Sequence, residues 1–123
     1  MEIGEKKYPY SDLKARTFEF SVSVILFLRD LPNGREVDVL KYQLTKAATS
    51  IGANYEESQA AQSPAEFRSK ISIAVKEARE AHYWLRLIHR TQNQNSESCE
   101  NLLKESAEIK AILGAIYSKI SKT

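Results

Sequence analysis

With 123 residues, the chain is long enough to bury one real core and too short for two domains. Hydrophobic residues at 42% and charged ones at 28% exclude a disordered chain, and only four Gly and three Pro point to helices. A net charge of +2 falls far short of the excess that marks a nucleic-acid binder by itself.

Residues 1–10 are polar, carry Pro9 and read as a flexible lead-in without the apolar core of a signal peptide. A single domain over 11–121 follows. Its first helix is expected over 11–31, capped by Ser11 or Asp12. The middle of that stretch, FEFSVSVILFL, reads two ways. Phe18, Phe20, Val22 and Val24 alternate as in a strand. They also form two helical stripes, one through Phe18, Val22 and Ile25, the other through Phe20, Val24, Phe27 and Leu31. A lone strand would leave its backbone groups without partners, so the expectation is a helix. Being apolar on two sides, it needs cover on two sides, a first sign of contact between subunits.

Leu31-Pro32-Asn33-Gly34 marks a turn. The second helix is expected over 36–59, with Val37, Leu40, Leu44, Ala47, Ile51, Tyr55 and Ser58 on one face. Gly52 lies inside it at a cost of about 1 kcal/mol against Ala, so either packing requires it or the helix bends there. A short link over 59–62 makes helices two and three an antiparallel hairpin. The third helix, from Pro64 to about Thr91, organises the chain. Phe67, Ile71, Ala74, Ala78, Ala81, Leu85 and Ile88 fall at spacings of 4, 3, 4, 3, 4 and 3, an unbroken heptad seam. Ser63 with Glu66 reads as a capping box and Pro64 suits the first helical position. At 1.5 Å per residue the helix runs roughly 40 Å. A polar loop over 92–98 precedes a fourth helix over about 97–121, with Leu102, Ile109, Leu113, Ile116 and Ile120 as its stripe. The fold class is therefore all-α, an antiparallel up-down-up-down four-helix bundle.

No catalytic constellation, metal site or cofactor motif emerges. Bundle di-metal sites need Glu-x-x-His pairs, and neither His82 nor His89 has Glu three residues before it. The single Cys99 excludes an internal disulfide and fits a reducing, cytoplasmic compartment. No apolar run is long enough to span a membrane.

Three groups of residues remain. Asn54, Glu57, Ser63 and Glu66 surround the hairpin, either as a polar network tying the turn or as a ligand site. Lys76, Arg79, Arg86 and Arg90 can line up along helix three, either as a solvated face with Lys76–Glu80 pairing or as a phosphate-contacting strip. Tyr83, Trp84 and Leu87 lie off the main seam and suit a subunit interface.

The stretches SIGANYEESQAAQSPAEF (50–67) and KEAREAHYWLRLI (76–88) resemble the four-helix bundle proteins of the 23S rRNA intervening-sequence family. That family is similar to the accessory variability determinants of diversity-generating retroelements. Its hairpin pattern is Ser-Ile-x-x-Asn-x-x-Glu-Gly, then Arg-x-Ser and Glu-Phe. Ser50, Ile51, Asn54, Glu57, Ser63, Glu66 and Phe67 match; Ser58 stands where the family has Gly, and Ala61 where it has Arg. The resemblance implies a homo-oligomer, a pentamer, with no enzymatic activity. It also implies nucleic acid, or an enzyme acting on nucleic acid, as a partner. Five copies at +2 carry about +10, enough to attract polyanions where the charge is concentrated.

Overall fold

The structure, a computed structural model, describes residues 12–93 and 96–121. The lead-in over 1–10 and the Ser11 cap lie outside the described residues. Four helices follow in order: α1 (Leu13–Arg29), α2 (Arg35–Gln59), α3 (Pro64–Thr91) and α4 (Glu97–Ile120). Each packs on its neighbours in sequence, and α4 returns to α1. Among the described residues the backbones of the diagonal pairs α1–α3 and α2–α4 do not come close. The result is a four-cornered all-α bundle. Its antiparallel register is visible in single contacts. Ser21 Oγ donates to Ala48 O at 3.0 Å while Thr17, one turn earlier, meets Gly52, one turn later. Likewise His82 pairs with Ser106, and His89 with Glu100.

The α3 seam is the axis of the core. Ile71, Ala74, Ala78, Ala81, Leu85 and Ile88 are all 0% exposed, with Phe67 half-buried at the start. Alanines at the centre let α2 and α4 approach α3 closely, which bulky residues would prevent. At the N-terminus Ser63 Oγ accepts from the Glu66 N–H at 3.0 Å. The Glu66 carboxylate accepts from Gln62 N–H, one residue before the cap rather than at it. At the other end Asn93 takes φ 52°, a left-handed terminator that Asn tolerates.

The FEFSVSV segment is helical, and its two stripes have different fates. Phe20, Val24, Phe27 and Leu31 are buried. Phe18 and Leu26 remain 59% and 53% exposed, with Val22 and Ile25 half-buried between them. α1 begins at Leu13 with Asp12 at the cap position, but the Asp12 side chain makes no capping hydrogen bond. It ends at Arg29, two residues short of the expected boundary, because Asp30 and Leu31 turn back onto Phe27 O and Leu28 O. Gly52 sits at a close helix crossing. A Cβ there would stand 3.2 Å from Thr17 Oγ1 and 3.4 Å from Thr17 Cβ, so α1 crosses α2 at the one side-chain-free position. α4 starts where the sequence reading places it. Ser96 Oγ accepts from the Cys99 N–H at 3.2 Å, which starts the helix at Glu97 and places Ser98 inside it.

α1 meets α4 more sparsely than any other neighbouring pair meets. The main tie is ionic. Arg16, 9% exposed, donates from Nε and Nη2 to the two Glu105 oxygens at 2.6 and 2.8 Å and from Nη2 to Glu108. These carboxylates hold the guanidinium above its already high pKa, so Arg16 is charged at any working pH.

Candidate functional site

The helical period places Lys76, Arg79, Arg86 and Arg90 on the outer side of α3, opposite its alanine seam. All four are exposed, and among the described residues none has a carboxylate within ion-pair distance. The pairing of Lys76 with Glu80 is not formed. Glu77 and Glu80 turn toward the α2 flank, where burial and the neighbouring Glu80 charge raise the Glu77 pKa. Arg68 continues the strip toward the N-terminus of α3. From Arg68 to Arg90 it covers about 33 Å along the axis.

Two groups from the α3–α4 side adjoin the strip. His82 Nδ1 lies 2.8 Å from Ser106 Oγ, whose own proton goes to Leu103 O at 3.0 Å. With that proton directed to Leu103 O, the hydroxyl oxygen can accept from a His82 ring protonated at Nδ1. Burial, followed by the Lys110 and Arg86 charges, lowers the His82 pKa from its ordinary 6.5. Lys110 was not legible as part of this surface, because only the α3–α4 register brings it there.

Tyr83, Trp84 and Leu87 do not act as one group. Adjacent residues in a helix stand about 100° apart, so Tyr83 points outward and Trp84 to the flank. Tyr83 is 46% exposed, whereas Trp84 is half-buried against the core. Their rings meet edge-on at 5.2 Å, and the Arg86 guanidinium lies 5.7 Å from the Tyr83 ring centre. Leu87 lines a shallow groove of about 500 Å³ with Val39 and Leu40 of α2.

The hairpin residues are likewise divided. Asn54 Nδ2 donates to Ser50 O within its own helix at 2.9 Å. Glu57 instead reaches across the hairpin to Lys70 Nζ at 2.7 Å, a partner that sequence reading missed. Ser63 and Glu66 cap α3 as described. Each group is thus occupied by a structural contact, and the four do not converge on a common point. Cys99 is fully buried, and burial together with Glu100 raises its pKa and disfavours the reactive thiolate. Among the described residues no three His, Cys, Asp or Glu side chains gather as a ligand set, and no helix is long and apolar enough to cross a membrane.

Comparison with known proteins places these features in context. A family model described as 23S rRNA-intervening sequence protein matches residues 11–115. A solved structure from Bacteroides thetaiotaomicron, of a protein with unknown function from the S23 ribosomal protein family, is 38% identical with a TM-score of 0.77. The alignment covers 85% of this chain and 97% of that one. No curated protein matches.

Proposed function

The chain belongs to the 23S rRNA-intervening sequence protein family, and from that premise we propose that it is a non-catalytic, cytoplasmic binding module that assembles with copies of itself and contacts nucleic acid through the outer face of α3. The observation that carries this reading is the cationic strip formed by Lys76, Arg79, Arg86 and Arg90, which has no ion-pair partner among the described residues. A net charge of +2 is small, but cations gathered on one face, with Glu77 and Glu80 at its edge, attract phosphates more than the total suggests. Kinship with the accessory variability determinants of diversity-generating retroelements belongs to the same proposal, with a nucleic-acid enzyme as an added partner.

Self-assembly, as a pentamer or another closed ring, rests on the apolar outer stripe of α1. Phe18 and Leu26, with the half-buried Val22 and Ile25, form a face that α2 and α4 cover only in part. α1 and α3 occupy diagonal corners, so a contact made by the α1 face does not by itself cover the same subunit's cationic strip. That α1 stripe also favours a second reading, a purely structural assembly component without nucleic acid.

A salt titration separates the two. Purified protein is mixed with random single- and double-stranded nucleic acids, and its mass is followed by light scattering in the same buffers. Micromolar binding that weakens steeply with salt is expected. Changing Lys76, Arg79, Arg86 and Arg90 together to Gln should flatten the slope of log K against log salt by about 3 to 4. The variant should keep its helicity and mass. Failure of an intact oligomer to bind at low salt would remove nucleic acid and leave the assembly reading.

A further inference from the structure

The centre of the cationic strip is aromatic. Lys76 and Arg79 precede Tyr83 by seven and four residues, and Arg86 and Arg90 follow it by three and seven. At 1.5 Å per residue, positive charge therefore stands about 5 and 10 Å to either side of the ring along the helix axis. Tyr83 is also the large hydrophobic residue that α3 leaves exposed; the others, Phe18, Leu26, Val39 and Tyr42, belong to α1 and α2.

From this arrangement we infer that the strip takes single-stranded nucleic acid in preference to duplex, with Tyr83 as the platform for one unstacked base. The inference rests on the nucleic-acid reading above and names its substrate class. A duplex presents phosphates to a charged helix but keeps its base faces stacked inside, so an exposed ring midway along the strip has no partner there. A single strand offers both phosphates and open base faces, and aromatic stacking binds any base because each has a π face. The ring is held in place beforehand. Trp84, packed on the core, meets it edge-on at 5.2 Å, and Arg86 lies over it at 5.7 Å. A side chain fixed in this way loses little freedom on binding. Arg86 serves twice, keeping the ring in position and supplying charge for the phosphate beside the stacked base.

The test compares a mixed-sequence 20-nucleotide strand with the duplex of the same sequence. Affinities are measured over a range of salt for the wild type, Tyr83→Leu and Tyr83→Phe, with mass by light scattering. Leucine keeps apolar bulk without a π face; phenylalanine keeps the face. The wild type should prefer the single strand. Tyr83→Leu should weaken single-strand binding about 5- to 100-fold with an unchanged salt slope, leaving duplex binding as it was. Tyr83→Phe should stay within about twofold of the wild type. Salt-dependent binding that Tyr83→Leu does not weaken, or a preference for duplex, overturns this inference and leaves the cationic strip standing. Loss of oligomer mass in Tyr83→Leu overturns it in favour of a subunit contact. A wild type that binds neither form at low salt overturns both the inference and the reading beneath it.

Discussion

On the proposed self-assembly, replacing Phe18 and Leu26 together with glutamate is expected to leave a 14.0 kDa monomer that remains helical. Both side chains are more than half exposed on α1, so neither supports the monomer's own core to its full extent. Burying what remains of each against another copy contributes on the order of 1–2 kcal/mol per side chain. Glutamate removes that gain and adds the larger penalty of taking an unpaired carboxylate out of water. Every interface of a ring carries the change, which makes the loss decisive rather than graded. Light scattering gives the mass and circular dichroism the helicity. An unchanged mass would clear α1 as the contact and return attention to Tyr83 and Leu87.

Gly52→Leu should destabilise the fold by about 1–3 kcal/mol or more, because the side chain must enter space already held by Thr17. Gly52→Ala is the informative control. It gains about 1 kcal/mol of helix propensity and meets the same Thr17 atoms at only a few tenths of an ångström too close, so its net effect should be small. In thermal unfolding the leucine variant should lose roughly 3–5 °C in Tm for each kcal/mol. A leucine variant with an unchanged Tm would mean that α1 does not cross α2 at this point.

How much of this was legible in the sequence depended on whether one helix or two had to be known. α3 was readable from end to end, since seven apolar positions at heptad spacing and the Ser63 cap lie in one continuous stretch. The strip of Lys76, Arg79, Arg86 and Arg90 was readable for the same reason: helical period alone turns spacing into a face. Arg16 with Glu105 and Glu108, Lys110 beside His82, and Lys70 with Glu57 were not, because each pair is joined by packing between helices. The two stripes of α1 could be seen, but not which one faces inward. Period shows that a side is apolar; only the neighbouring helices decide whether it is covered. Treating Tyr83 and Trp84 as one unit overlooked the rotation between consecutive helical residues, which sends one outward and holds the other against the core.

The sparse seam between α1 and α4 also bears on how the molecule opens. Free energies of local opening follow local packing, so opening is expected to begin at the α1–α4 side, where α1 can part from the rest, and to reach the α3 seam last. In native-state hydrogen exchange, amides of α1 should lose protection through a partial opening while those around Ala74–Ala81 wait for global unfolding; equal protection would deny α1 any independence. A detached α1 presents Phe20, Val24 and Phe27 together with Phe18 and Leu26. It can then lodge in the vacated groove of another copy, making an exchanged-helix dimer the characteristic assembly error of this fold.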